Sequence, residues 1–287
     1  AFIVGRITDW EKQGNKRSEA AIIYRSNAQS RALEEALISA SMPYRIYGGL
    51  RFFERSEIKD ALAYLRVVTY QTDDTSFERI INKPTRGIGA KALDSIRVCA
   101  KENNSSLWEA ACHLAKNDPT GKKFIKISHF ISLINKMKRE TEDLEIHDKI
   151  DHLINLSGLI ELHQNEKGER GLTRIENLEE LVSAAKSYEI DNDDDMTVLD
   201  AFLAHAALEA GEEQASAWED CVQLMTMHSA KGLEFPLVFM CGMEDGLFPH
   251  QRSIVDPRSL EEERRLCYVG ITRAEQILYL TYAEQRR

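Results

Sequence analysis

The sequence predicts an α/β protein whose sheet is interrupted by a long helical stretch. Three short apolar runs, Ala20 to Tyr24, Val222 to Met227 and Leu237 to Cys241, stand towards the two ends of the chain. The last two are joined by a polar, glycine-containing loop, as strands of a parallel sheet buried on both faces are. Between Leu50 and Trp218 the apolar residues recur at helical spacing instead, with almost no strand-like runs. A helical block between two halves of a sheet reads as an inserted domain, and 287 residues suffice for two domains.

The elements follow in order. Phe2 to Trp10 carries apolar residues at helical spacing and reads as the end of a helix begun upstream. The opening Ala1-Phe2-Ile3-Val4-Gly5 looks like the interior of a domain, so the chain reads as a fragment. Ala20 to Tyr24 is a β-rich run. Asn27 through Ser39 predicts a helix with Leu33, Ala36 and Leu37 on one face; Pro43 stops it, and Tyr44 to Tyr47 predicts a strand. This strand–helix–strand unit suits a parallel sheet. Gly48-Gly49 leaves the backbone as free as a hinge or tight turn requires.

Eight helices are expected in the insert: Glu57 to Thr69, Ser76 to Asn82, Lys91 to Glu102, Leu107 to Lys116, Lys122 to Thr141, Ile146 to Leu156, Ile175 to Tyr188 and Thr197 to Leu208. The run Asp191-Asn192-Asp193-Asp194-Asp195 reads as an acidic loop. After Trp218 the sheet resumes and ends with Ile277 to Tyr282. A helix from about Leu260 to Ala274 precedes that strand. On it Glu261 and Arg265 are an i,i+4 pair, and Leu266, Val269 and Arg273 share a face.

Composition sets limits. The chain is 43% hydrophobic and 29% charged, as soluble globular proteins are. No run approaches the roughly 18 apolar residues of a membrane span, and no charged-then-apolar leader opens it. Cys99, Cys112, Cys221, Cys241 and Cys267 are scattered and form no C-x-x-C pair, so a disulfide framework or zinc site is not expected and a reducing cytoplasm is. The eight histidines show no metal-ligand spacing either. The net charge of −10 is concentrated: residues 186 to 220 hold one Lys against eleven Asp or Glu, leaving the rest neutral. Residues 79 to 101 hold six Lys or Arg against Asp94 alone, and residues 116 to 139 hold seven against Asp118. Local basic patches of this kind set the footprint on phosphate, although a solvated helix face looks the same.

Three stretches hold candidate chemistry. Thr226-Met227-His228-Ser229-Ala230-Lys231-Gly232-Leu233-Glu234-Phe235 places His228, Ser229, Lys231 and Glu234 in the loop between two strands. Ligands of open α/β sheets bind at the C-terminal strand ends; ordinary solvated charges are the alternative. Arg25, Ser26 and Asn27 close the first strand. Arginine supplies phosphate contacts and asparagine bonds sugar, phosphate or base edges; equally, Ser26 or Asn27 caps the following helix. In Pro84-Thr85-Arg86-Gly87-Ile88-Gly89, two glycines let backbone N–H groups approach a phosphate before a helix N-terminus, and Arg86 and Lys91 add charge. A plain turn has the same composition.

Three strings resemble motifs of the superfamily 1 DNA helicases of the UvrD/Rep/PcrA type. The Thr226–Phe235 string resembles their motif V. Glu261-Glu262-Glu263-Arg264-Arg265-Leu266-Cys267-Tyr268-Val269-Gly270-Ile271-Thr272-Arg273-Ala274 resembles motif VI. Tyr24-Arg25-Ser26-Asn27-Ala28-Gln29-Ser30-Arg31 resembles the motif opening the second motor domain. They stand in the family's order, and the similarity covers essentially the whole chain.

The resemblance implies a RecA-like domain 2A in two segments, residues 1–48 and 218–287, with a helical domain 2B, residues 49–217, inserted. It implies that Arg273 meets the nucleotide's γ-phosphate as an arginine finger and that Glu234 touches the ribose. It also implies that Arg25, Asn27, His228 and Lys231 bind single-stranded DNA, and that Arg86, Gly87, Ile88, Gly89 and Lys91 hold duplex DNA.

The chain contains no G-x-x-x-x-G-K-[ST] loop and no recognisable Asp-Glu pair for Mg²⁺. It is therefore expected to bind no ATP or Mg²⁺ by itself and to hold no metal site. In the full-length protein ATP and Mg²⁺ would be shared with an N-terminal RecA-like lobe of the same chain. The implied function is the C-terminal part of an ATP-dependent 3′-to-5′ DNA helicase of excision and mismatch repair. It would act at single/double-strand junctions in the bacterial cytoplasm, with DNA-repair accessory proteins and no membrane as partners. The alternatives are a non-motor DNA-binding or regulatory module, which would need neither Arg273 nor Glu234, and a nuclease-linked relative, whose nuclease residues are absent here.

Overall fold

The computed structural model describes residues 1–117, 121–189, 196–211, 219–254 and 256–283. The expected acidic loop at Asp191–Asp195 lies outside them, as does Trp218, after which the sheet was expected to resume. The chain divides into two compact units: Ala1–Phe52 with Leu208–Arg287, and Phe53–Ala207.

The first segment holds α1 (Phe2–Lys12), β1 (Ala20–Tyr24), α2 (Ser30–Ser39) and β2 (Tyr44–Ile46). It continues past Gly48-Gly49 because residues 51 and 52 are bonded into it. The Phe52 N–H donates to Glu34 Oε2 at 3.2 Å, and the Arg51 guanidinium lies 4.9 Å from the Tyr44 ring centroid.

The second unit is helical: α3 (Ser56–Thr69), α4 (Asp74–Ile80), α5 (Ala90–Asn103), α6 (Leu107–Asn117), α7 (Lys122–Glu140), α8 (Ile146–Ser157), α9 (Leu159–Gln164), α10 (Glu169–Ser187) and α11 (Val198–Gly211), whose last residues belong to the first unit. α3 is buried on nearly all sides, from Ile58 to Val68, as the central helix of a bundle must be. Phe77 of α4 packs edge-on against Trp108 of α6 and Phe130 of α7, with ring centroids 6.3 and 5.8 Å apart. Among the described residues this unit contains no strand, and no helix of the chain is long and apolar enough to cross a membrane.

The first unit closes with β3 (Val222–Thr226), β4 (Phe235–Cys241), α12 (Pro257–Ile271) and β5 (Ala274–Thr281). The five strands form one sheet in the order β2-β3-β1-β4-β5, and every pair is parallel. This is the α/β class the apolar runs predict, consistent with a RecA-like fold. β1 lies at the centre and all five of its residues are buried. Its side chains alternate between two cores. Ala20, Ile22 and Tyr24 meet Ile7, Trp10 and Leu37 of α1 and α2, whereas Ala21 and Ile23 meet Met225, Met240 and Leu266. Pro236 lacks an N–H to donate, and the β4–β5 register slips there, between Phe235 and Leu237.

Candidate functional site

Parallel strands force the loop after β3 to travel back along the sheet before β4 can begin. This corrects one expectation. The sequence placed His228, Lys231 and Glu234 together at the C-terminal strand ends, but the structure parts them. His228 follows β3 at the C-terminal edge, while Glu234 directly precedes β4 at the N-terminal edge.

Anchors within the loop decide which side chains face solvent. Met227 and Ala230 are fully buried, and Thr226 Oγ1 accepts the Ser229 N–H at 3.2 Å, closing a turn. His228 and Lys231, beside those anchors, are left exposed, and so is Glu234.

Arg25 and Asn27 share the C-terminal edge with His228. Ser26 is the helix cap that local chemistry predicted. Its Oγ accepts from the Ala28 N–H, and Gln29 Oε1 accepts the N–H groups of Arg25 and Ser26, at 2.9 Å each. Arg25 is held side-on by Glu263 of α12, through Nε and Nη2 at 2.9 and 2.8 Å. Glu263 is buried. It also accepts the His250 N–H at 3.2 Å and the Ser253 hydroxyl at 3.4 Å. Burial alone would raise the Glu263 carboxyl. The Arg25 hydrogen bonds and charge, with the His250 N–H, hold it below its ordinary value. Periodicity misses Glu263 because it stands in a run of three glutamates. Its signal is position: it shares a face with Leu266 and Gly270, the other buried residues of α12.

At the N-terminal edge, Arg273 joins α12 to β5. Its Nε donates to Val269 O at 2.9 Å and its Nη1 to Leu233 O at 2.6 Å. Its own carbonyl accepts the Phe235 N–H at 2.9 Å. Arg273 therefore brackets Glu234 between a side-chain bond and a main-chain bond. Among the sequence-selected residues, Glu234 and Arg273 form one group and Arg25, Asn27 and His228 another, with Lys231 between them along the loop.

The glycine loop of the helical unit is built from below. Asn82 Oδ1 accepts the N–H groups of Arg86 and Ile88, at 2.8 and 3.1 Å, and Ile88 is buried. Arg86 turns inward. Its Nη1 donates to Ile80 O and Pro84 O, and its Nη2 to Tyr64 Oη and Ser157 O, over 2.5–3.2 Å. Burial pushes the Tyr64 hydroxyl up to about 12, so it stays protonated and donates to Lys83 O. Gly87 has φ +71°, which side chains rarely adopt, and Gly89 is the N-cap of α5 with no side-chain cap. Gly87, Gly89 and Lys91 are exposed.

Comparison with known proteins gives one consistent family. The UvrD-like helicase C-terminal domain matches residues 1–285. DNA helicase II of Escherichia coli K12 is 55% identical over 288 residues, covering all of this chain and 40% of that protein. DNA helicase II of Salmonella typhimurium is 54% identical over the same shares. The ATP-dependent DNA helicase PcrA of Staphylococcus aureus is 42% identical, over 99% of this chain and 39% of its own length. The chain thus spans about two fifths of the length of these relatives, and it belongs to the UvrD-like helicase C-terminal domain family.

Proposed function

We propose that the chain is the C-terminal motor half of an ATP-dependent 3′-to-5′ DNA helicase acting in DNA repair in the bacterial cytoplasm. The first unit would serve as domain 2A and the helical unit as domain 2B. ATP and Mg²⁺ would sit against an N-terminal lobe of the same protein, with this chain closing the site. Single-stranded DNA and junctions are the proposed substrates.

The observation that carries this reading is the pairing of Arg273 with the Glu234 segment at one sheet edge, in a chain matched along its length by the family. A pure DNA-binding module needs neither residue. Arg273 would stabilise charge on the transferring phosphoryl group, as an arginine from the opposing element does. Its present acceptors are neutral, two carbonyls and the Thr272 hydroxyl. A phosphate oxygen is a charged acceptor, and such hydrogen bonds are roughly twice as strong. Glu234 would accept from a ribose hydroxyl. Arg25, Asn27, His228 and Lys231 would contact single-stranded DNA, and the 86–91 stretch duplex DNA. The loop carrying His228, Lys231 and Glu234 would then link DNA contact to nucleotide contact through eight residues of chain.

ATP hydrolysis and strand separation by the full-length protein test the proposal. DNA-stimulated hydrolysis with unwinding of a 3′-tailed duplex is expected, together with no turnover by residues 1–287 alone. A full-length protein that binds DNA without hydrolysing ATP would support a regulatory module instead. Turnover by the purified 287-residue chain would contradict the shared site.

A further inference from the structure

The glycine loop carries a cation that comes from elsewhere in the sequence. Lys126 of α7, 39 residues beyond Gly87, places its Nζ 3.1 Å from Gly87 O. A Cβ built on Gly87 would collide with that Nζ, so the ammonium lies directly over the bare backbone of the loop. Lys126 is exposed. Arg86, the arginine within the loop, points the other way, with its guanidinium bonded to three carbonyls and the Tyr64 hydroxyl and packed 5.5 Å from the centroid of the Phe130 ring.

We infer that Lys126, rather than Arg86, is the side chain that neutralises a backbone phosphate at the Gly87–Gly89 loop. The inference rests on the reading of that loop as a duplex contact and names the group that supplies its charge. To reach outward, Arg86 would abandon four hydrogen bonds and leave carbonyls beneath the loop without their donor. Lys126 has at most one neutral acceptor, Gly87 O, to give up. An ammonium has three N–H donors, so it can meet a phosphate oxygen while still touching Gly87 O. Being a compact point charge, it adds affinity without reading sequence. Gly87 has no side chain to hold the backbone and the Lys126 ammonium away from the same phosphate.

The test is the salt dependence of binding by the 287-residue chain to a fluorescent 3′-tailed duplex between 50 and 200 mM KCl. Each neutralised phosphate contributes about 0.9 to the slope of log K against log salt. Lys126→Gln should flatten the slope by about that amount, leave the melting temperature unchanged, and lose binding about threefold more at 50 mM than at 200 mM KCl. Lys126→Arg should restore the slope. Gly87→Asp, which sets a carboxylate and a strained backbone at the loop, should lose binding outright. If Gly87→Asp loses binding and Lys126→Gln keeps the wild-type slope, the Lys126 assignment is overturned and the loop reading stands. If the wild-type chain shows no salt-dependent duplex binding, both fall.

Discussion

Arg86 and Arg273 are two of the arginines that the sequence reading assigns to phosphate, and both are bonded to backbone carbonyls. The difference lies in what surrounds them. Arg86 is enclosed by Tyr64, Phe130 and four acceptors, so its main work is to fix the loop. Arg86→Ala should therefore lower stability in urea by about 2 kcal/mol or more, since each acceptor left without its donor costs about 1–3 kcal/mol. An Arg86→Ala variant with wild-type stability would show that these bonds are dispensable. Arg273 holds two carbonyls and the neighbouring Thr272 hydroxyl, at a strand edge beside an exposed carboxylate. Residue type and motif were legible in the sequence at these positions. The direction each guanidinium takes was not, because it depends on Tyr64, Ser157 and Leu233, contributed by other segments. Glu263 makes the same point. Its carboxyl sits below its ordinary value of 4.5, so its contribution to stability is complete above that pH and is lost as pH falls through the lower folded value. Glu263→Gln should be less stable than wild type at neutral pH, and the gap should shrink as pH drops below about 4.5. A gap that stays constant from pH 7 to pH 3 would show that the Arg25–Glu263 pair contributes nothing pH-dependent.

At the scale of elements, the strands and most helices follow from short apolar runs and helical spacing, which local sequence contains. The departures have physical causes. α9, Leu159–Gln164, was not expected, because six residues are too short to show a period. α10 begins at Glu169, ahead of the expected Ile175, since its polar first turns carry no apolar stripe. The loop after β3 was read as lying wholly at one sheet edge, whereas the parallel pairing that the sequence itself predicts already requires it to run back along the sheet before β4 begins. The approach of α12 to the sheet, by contrast, was hidden. A Cβ on Gly270 would lie 2.7 Å from Met240 Cε and 3.0 Å from its Sδ, so the helix and β4 meet where a side chain is missing. Alanine should be absorbed by a shift of the flexible methionine. Gly270→Val should cost about 1–3 kcal/mol through overpacking, seen as a lower melting temperature. A Val variant as stable as the Ala variant would show that α12 can move away from the sheet freely.

For the whole molecule, the expectation of two domains rests on the spacing of apolar residues changing along the chain, and the described chain divides into two compact units. The placement of candidate groups could not be read that way. Glu234 and Arg273 stand at one edge of the sheet and Arg25, Asn27 and His228 at the other, joined by the β3–β4 loop and by α12. The central claim is that the first of these edges closes an ATP site. The most direct measurement is the kcat of ATP hydrolysis by full-length Arg273→Ala, taken with its melting temperature so that loss of the guanidinium's own hydrogen bonds is counted separately. An arginine acting on the transferring phosphoryl group contributes about 10³ to 10⁵ in kcat. The account predicts a fall of that order with ATP binding little changed, and no rescue by Arg273→Lys, because a point charge does not reproduce the planar fork. A folded Arg273→Ala protein with kcat near wild type would contradict it, and would leave Arg273 as a bracket between α12 and the β3–β4 loop.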